Sequence, residues 1–148
     1  PSDTKEKGLE TLIVEYLRDQ NRYEQGTSRD YDREFAVDTT RLFCFLKETQ
    51  PEKVERLGIF SSEIKRLQFL NRLRGEIAKR GIVDVLRKGV NLYPAGNLIL
   101  FYQTPSENNS EAKKRFEQNI FSVTRQLMYS SDDTRLALDL AIFINGFP

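Results

Sequence analysis

Asp139 is a carboxylic acid in the middle of an apolar, strand-like sequence, LDLAIFIN, over Leu138–Asn145. The alternation of residues in this stretch is typical of a strand that is buried on both faces. A carboxylate loses hydration there, and a partner, a bound cation or a raised pKa must compensate for that loss. A strand end or a structural salt bridge also explains Asp139, so the residue alone does not choose between a structural and a catalytic role.

The chain contains no histidine and one cysteine, Cys44. Without histidine there is no Ser-His-Asp triad, no Cys-His pair and no mixed zinc site, and one thiol is too few for a thiolate site. The sequence also lacks the Gly-x-x-x-x-Gly-Lys-Ser/Thr loop that binds ATP phosphates. Among the common hydrolytic mechanisms, carboxylates that hold a hard cation, with lysine as a helper, remain.

Phosphodiester hydrolysis is a reaction that such residues support. A Mg²⁺ ion held by two or three oxygens neutralises phosphoryl charge and lowers the pKa of a bound water. Two acids on paired strands lie close enough to share an ion, because such strands are about 4.8 Å apart. Asn145-Gly146, after the Asp139 strand, predicts a type I′ turn and a return strand. Since the sequence ends at Pro148, we expect it to be a fragment of a longer protein.

Five sequence segments, in their order along the chain, resemble the N-terminal domain of the R (restriction) subunit of type I restriction-modification enzymes. The resemblance extends from about Glu6 to Pro148 and is weakest over 58–67 and 106–112. Five ordered segments are more specific than any one of them. They are DYDREFAVD (Asp30–Asp38), FLKETQPEKVERL (Phe45–Leu57), RGIVDVLRKGV (Arg80–Val90), NIFSVTRQLMYS (Asn119–Ser130) and LDLAIFINGFP (Leu138–Pro148).

The resemblance implies a PD-(D/E)xK nuclease site in which Asp139 is the first catalytic acid and a ligand of Mg²⁺. It also implies an α/β fold of the restriction-endonuclease type, with N-terminal helices followed by a central mixed sheet. In that family the return strand of the hairpin carries Glu-x-Lys, whose Glu and Lys would fall about five and about seven residues past Pro148. We therefore expect residues 1–148 to be an endonuclease domain truncated before the Glu-x-Lys strand.

By the same resemblance, the activity is Mg²⁺-dependent cleavage of double-stranded DNA in an ATP-driven restriction complex. The intact subunit would continue into helicase and translocase domains that hydrolyse ATP, and these domains are absent from residues 1–148. Its protein partners would be the modification (methyltransferase) and specificity subunits. We expect the fragment alone to be inactive as a nuclease, because one carboxylate does not outcompete water for Mg²⁺.

Three further residues are candidates for the same site. Glu10 lies at the margin of the apolar stripe of the first predicted helix, where it can reach inward although Glu15 cannot. It is either an ordinary boundary residue or a helix carboxylate added to the metal site, as in related nuclease folds. Arg125 and Gln126 belong to the RQ-x-x-YS segment shared with the family, and they either contact DNA or pack at the edge of the sheet.

The segment 64–90 holds eight Lys and Arg residues and two acids, a net charge of +6, in a chain whose formal net charge is +1. Arg72, Arg74 and Lys79 are candidate DNA contacts in this segment. Clustered cations bind phosphates only where they converge in space. A solvated helix face with internal ion pairs is the other interpretation, and the sequence leaves both open.

Periodicity predicts helices first and then a sheet from about residue 90 onward, with one helix inserted. Asp38 is a predicted N-cap, and Thr49-Gln-Pro-Glu52 is a predicted capping box. The clearest predicted strands are Leu98–Gln103 and Phe121–Tyr129. The residues predicted to be buried by the first helix are Leu9, Leu12, Ile13, Tyr16 and Leu17.

A longer helix is predicted from Ser61 or Ser62 to about Arg80, with Gly58 closing the helix before it and Gly81 ending it. The residues predicted to be buried by this helix are Ile64, Leu67, Leu70, Leu73 and Ile77.

The composition, with 39% hydrophobic and 30% charged residues in 148, indicates one folded domain. No segment approaches the roughly 18 apolar residues of a transmembrane helix, and the polar start lacks a signal-peptide core. We therefore expect a cytoplasmic protein without a membrane partner. Cys44, between Phe43 and Phe45, is predicted to be a small buried residue.

Two other functions remain open at this stage. One is a non-catalytic DNA-binding or subunit-docking module that uses the basic segment 64–90 on a degenerate nuclease scaffold. The other is a stand-alone nuclease of the resolvase kind. The residues that follow Pro148 discriminate between them, because Glu-x-Lys favours a nuclease and its absence favours the binding module.

Overall fold

The structure is a computed structural model that describes residues 2–105, 109–128 and 137–148, with side chains described for 8–105, 109–125, 127 and 140–148. This part of the chain is a mixed α/β protein. It divides into two compact units, one formed by Pro1–Leu42 and Ile120–Pro148 and the other by Phe43–Asn119. None of the helices among the described residues has both the length and the apolar sequence of a membrane-spanning segment.

The helices and strands follow one another as an α-helix, three short strands, four helices, a short hairpin, a helix and two long strands. The helices are α1 (Ser2–Asn21), α2 (Thr39–Thr49), α3 (Pro51–Leu57), α4 (Glu63–Arg80), α5 (Ile82–Lys88) and α6 (Ser110–Glu117), with a 3₁₀ turn at Ser28–Asp30. The strands are β1 (Glu24–Gly26), β2 (Tyr31–Asp32), β3 (Val37–Asp38), β4 (Val90–Leu92), β5 (Gly96–Leu98), β6 (Phe121–Met128) and β7 (Ala137–Ile144).

The first unit contains a three-stranded sheet in the order β1-β6-β7. β1 is parallel to β6, with Gly26 opposite Thr124, and β6 is antiparallel to β7, with Arg125 opposite Leu140. The sheet is therefore mixed, as predicted. The prediction that helices precede the whole sheet is wrong, because β1 lies between α1 and α2. β1 consists of three polar or small residues, so its sequence has no alternation of apolar residues that would predict a strand. It is a strand because it pairs with β6.

Helix α1 does not bury the stripe that periodicity predicts. Glu10 and Val14 are buried, whereas Leu9, Leu12 and Tyr16 are exposed. The buried stripe is displaced by one residue, and it includes a carboxylate that finds a cationic partner on β6. Periodicity predicts where the helix lies. It does not predict the burial of a charged residue such as Glu10, because that burial depends on a partner far along the chain.

Strand β6 confirms the predicted strand, whereas β7 differs from its prediction on one face. Ala141 and Phe143 are buried, but Ile142 is 51% exposed. Leu140, Ile142 and Ile144 lie on the face opposite to Ala141 and Phe143, and all three are at least partly exposed. The expected burial of β7 on both faces is therefore wrong.

The turn after β7 is the predicted type I′ hairpin turn. Asn145 has φ 50° and Gly146 has φ 90°, both in the positive range that this turn requires. Ile144 and Phe147 exchange backbone hydrogen bonds of 2.8 and 2.9 Å across the turn. The side-chain oxygen of Asn145 accepts from the backbone N–H of Ile120 at 2.6 Å, which fixes the turn to the residue before β6.

Several local signals in the second unit are confirmed. Ser62 caps α4 by accepting from the backbone N–H of Lys65, and Gly58 ends α3 with φ 68°. Gly81 follows α4 with φ 83°, as predicted. The buried residues of α4 are Phe69, Leu70 and Leu73.

Four predictions of local environment in this unit are wrong. Ile64 is 71% exposed and Leu67 is 38% exposed, because the buried side of α4 centres on Phe69 and Leu70. Cys44 is exposed rather than buried. Thr49 does not form a capping box, because its hydroxyl donates to the carbonyl of Phe45 within α2 at 2.7 Å.

The segment after β5 is not the predicted strand Leu98–Gln103. The side-chain amide of Gln50 donates to the carbonyl of Ile99 and accepts from its N–H, both at 2.8 Å. The amide of Asn119 does the same for Tyr102, at 2.7 and 3.0 Å. Side-chain amides thus satisfy backbone groups that a neighbouring strand would otherwise pair, and no strand is needed there.

Gly146→Ala is expected to destabilise the protein. The left-handed φ costs a non-glycine residue about 1–3 kcal/mol. A Cβ would also lie 2.3 Å from the carbonyl oxygen of Asp38. The matched control is Gly8→Ala in the same unit, where nothing lies within 4 Å of the added Cβ, and a gain of about 0.5–1 kcal/mol is expected in a helix. Urea unfolding followed by circular dichroism measures both. Similar changes in the two variants would contradict the role of the turn.

Candidate functional site

Asp139 lies on β7 between Leu138, which pairs with Leu127, and Leu140, which pairs with Arg125. The strand thus belongs to the antiparallel pair with the longest register in the first unit's sheet. The side chains of Asp139 and Gln126 lie outside the described residues. Their roles at the site stay predictions.

Glu10 is carried by α1 to strand β6. Its Oε2 lies 3.3 Å from Nη2 of Arg125, and the Glu10 side chain is 10% exposed. Glu15, on the same helix, is exposed. The inward orientation predicted for Glu10 from helix geometry is therefore confirmed, and two residues singled out from the sequence lie in contact.

Arg125 holds two consecutive residues of α1. Its Nη1 donates to the hydroxyl of Thr11 at 3.1 Å, and its Nη2 donates to Glu10. A partly buried carboxylate needs such a charged donor to offset the loss of hydration. The guanidinium therefore has a structural function in fixing α1 to β6, and a contact of Arg125 with DNA stays a prediction.

The magnesium site predicted from the sequence needs several oxygen ligands. In the part of the chain whose side chains are described, no group of three or more His, Cys, Asp or Glu residues is arranged to hold a metal ion. Glu10 contributes one carboxylate, and that carboxylate contacts Arg125. The described residues alone do not fit a magnesium ion, and such a site requires Asp139 and further ligands.

A cluster of charged side chains surrounds Arg41, and the sequence did not predict it. The Arg41 guanidinium lies 3.0 Å from a carboxylate oxygen of each of Glu24, Asp30 and Asp38. Its Nη2 also donates to the carbonyl of Gln25 at 3.3 Å. One cation thus connects β1, the 3₁₀ turn and the start of α2. The sequence predicted Asp38 only as an N-cap, and the available signal for the pair was the arginine three residues later, one helical turn into α2.

The two acids on Nη1 of Arg41 have pKa values that move in opposite directions. Burial raises the pKa of Asp38, although the backbone N–H and the guanidinium of Arg41 act against it. Burial also acts to raise the pKa of Asp30, but hydrogen bonds from the Thr27 backbone, Arg41 and Thr40 outweigh it, and this pKa lies below its ordinary value. The difference follows from exposure, since the Asp38 side chain is 1% exposed and that of Asp30 is 23% exposed.

Internal ion pairs neutralise part of the basic segment 64–90. Arg80 contacts Asp84 at 2.7 Å and Glu76 at 3.4 Å, and Lys88 contacts Asp84 at 3.2 Å. Both acids of the segment are therefore used by these two cations. This part of the segment matches the interpretation of a helix face with internal ion pairs.

The three candidate DNA contacts of this segment lie in different surroundings. Nη1 of Arg72 donates to the carbonyl of Tyr93 at 2.9 Å, whereas Nη2 of Arg74 donates to Oδ1 of Asn71 at 2.7 Å. Lys79 is exposed in the last turn of α4. Seven residues are about two helical turns, so Arg72 and Lys79 lie on one side of α4 and Arg74 does not.

Comparisons of this chain with protein-family models, with curated proteins and with solved structures find no match.

Asp30→Asn and Asp38→Asn are expected to respond oppositely to pH. A lowered pKa contributes stability that is present above the unfolded value and is lost as pH falls, so Asp30→Asn should be more harmful at pH 7 than at pH 3. A raised pKa contributes stability that is lost as pH rises, so Asp38→Asn should be less harmful at pH 7 than at pH 3. Urea unfolding of both variants and the parent at the two pH values measures this. Parallel responses would contradict the assignment.

Proposed function

We propose that this chain is the endonuclease domain of the R subunit of a type I restriction enzyme, with a restriction-endonuclease-like, PD-(D/E)xK fold. In this proposal it cleaves phosphodiester bonds of double-stranded DNA in a cation-dependent reaction, and Asp139 is a metal ligand. Domains that hydrolyse ATP, together with modification and specificity subunits, act with it in the complete enzyme.

The observation that carries the proposal is the hairpin that begins with β7. The strand that contains Asp139 pairs along its length with β6 and turns at Asn145-Gly146. Phe147 then forms an isolated antiparallel bridge with Ile144. In a PD-(D/E)xK site, the second acid and the lysine stand on the return strand of such a hairpin, where residues two apart lie on one face.

Glu10 and Arg125 support the proposal in a secondary way. Arg125 lies opposite Leu140, the neighbour of Asp139 on β7, and it contacts Glu10. A helix carboxylate is thus held on the strand next to β7. Oε2 of Glu10 contacts Arg125. Glu10 can therefore bind a metal ion only through its other oxygen, Oε1, or after the ion pair with Arg125 has broken.

The second candidate function is a non-catalytic DNA-binding or subunit-docking module. The observation that favours it is the position of Arg72 and Lys79 on one side of α4, with both acids of the basic segment already paired to Arg80 and Lys88. A cationic helix face of this kind binds phosphates without any catalytic group.

Asp139→Ala is expected to abolish DNA cleavage by the complete restriction enzyme while ATP hydrolysis and DNA translocation stay nearly unchanged. The physical reason is that a metal ligand is lost in one domain while the motor is a separate unit. Cleavage of plasmid DNA, phosphate release and translocation are measured on the same preparation. Equal loss of all three activities would show a folding role, and unchanged cleavage would favour the binding module.

Glu10→Gln is expected to reduce cleavage by about 10- to 100-fold, the usual effect of removing a residue that supports a metal site. Glutamine keeps an oxygen that can accept from Arg125, so docking of α1 is preserved. Glu15→Gln is the matched control, because it removes the same charge from an exposed position of the same helix. Equal cleavage rates for the two variants would leave Glu10 with a purely structural role.

A further inference from the structure

A basic pocket of about 200 Å³ lies in the second unit, between α3, α4 and the turn that joins β4 to β5. Its floor contains Leu57 and Phe69, which are buried. Its other lining residues are Arg56, Lys65, Gln68, Arg72, Tyr93 and Pro94. Three cations and an aromatic ring therefore line one pocket, and the residues that the structure describes there include no carboxylate.

Tyr93 presents its ring to solvent from a fixed backbone. The residue is 84% exposed. Its carbonyl accepts a hydrogen bond from Arg72 at 2.9 Å. The flanking strands β4 and β5 are paired, with Val90 opposite Leu98 and Leu92 opposite Gly96. An exposed aromatic ring on a fixed backbone loses little conformational freedom when a flat partner stacks on it.

We propose that this pocket binds an unpaired nucleic-acid strand. Tyr93 stacks on one base, and Arg56, Lys65 and Arg72 contact the phosphates beside it. Single-strand sites elsewhere combine these two elements, a cationic groove that follows the backbone and an aromatic side chain under a base. Lys65 and Arg72 are seven residues apart on α4, so they lie on one side of the helix about 10 Å apart along its axis.

The size of the pocket argues for a strand rather than a free nucleotide. Small-molecule sites usually enclose about 300–1,000 Å³, and this pocket encloses about 200 Å³. Part of a longer ligand therefore enters it, while the rest lies along the exposed cations. A duplex keeps its bases stacked on one another and offers no base face to Tyr93. The proposal is independent of Asp139 and of any cleavage activity.

The test uses the 148-residue chain in buffer without divalent cations, with a fluorescently labelled oligothymidylate of about twenty nucleotides, and the same strand in a duplex, as probes. Tyr93→Leu is expected to weaken binding to the single strand by about 5- to 100-fold and to leave duplex binding unchanged. Tyr93→Phe keeps the ring and should bind as the parent does. Thermal unfolding of each variant confirms that it is folded.

A second pair of variants tests the cations without disturbing Tyr93. Lys65→Gln is expected to reduce the slope of log affinity against log salt for the single strand by about 0.7. Lys114→Gln is the matched control, because it removes one charge from an exposed position of α6 in the same unit, outside the pocket and outside the segment 64–90, and its slope should not change. Equal slopes in these two variants, or a Tyr93→Leu chain that binds the single strand as tightly as the parent, would overturn the proposal.

Discussion

The burial of Asp38 is the constraint on which most of the first unit depends. One of its carboxylate oxygens accepts from the backbone N–H of Arg41, and the other contacts the Arg41 guanidinium. Its backbone N–H donates to the carbonyl of Gly146 at 2.8 Å. Loss of hydration costs a buried ion several kcal/mol, and the two contacts with Arg41 offset part of that cost for the Asp38 carboxylate. The start of α2 and the turn after β7 are therefore held at a single residue.

Two arginines connect elements of this unit, Arg41 through β1, the 3₁₀ turn and Asp38, and Arg125 through α1 and β6. Arg41 lies against Gly26 of β1, where an added Cβ would be 3.1 Å from its Nη1. Arg125 fastens α1 through Glu10 on the neighbouring strand. A planar guanidinium can connect several elements because its N–H donors point in fixed directions. The buried stripe of α1 consequently follows the position of Arg125 and not the helix's most apolar face.

Features that depend on a few neighbouring residues were predictable from the sequence, and features that depend on a distant partner were not. The Asn145-Gly146 turn and the Asp38 cap follow from local backbone chemistry. The inward orientation of Glu10 follows from helix geometry, but its partner Arg125 is 115 residues away, and nothing in the sequence pairs them. Leu98–Gln103 has the composition of a strand, yet side-chain amides satisfy its backbone instead. Composition alone does not reveal such an exchange of partners.

Polar side chains also fix the β4–β5 hairpin that carries Tyr93 to the basic pocket of the second unit. Gln50 holds both backbone groups of Ile99, the residue directly after β5. Lys53 donates to the carbonyl of Asn97 within β5, so two residues near the start of α3 fix the end of this hairpin. Arg72 fixes the hairpin's turn through the carbonyl of Tyr93. The ring of Tyr93 is thus exposed while its backbone is held from both sides, and the polar side chains that prevent a longer strand also keep the ring beside the cations of α4.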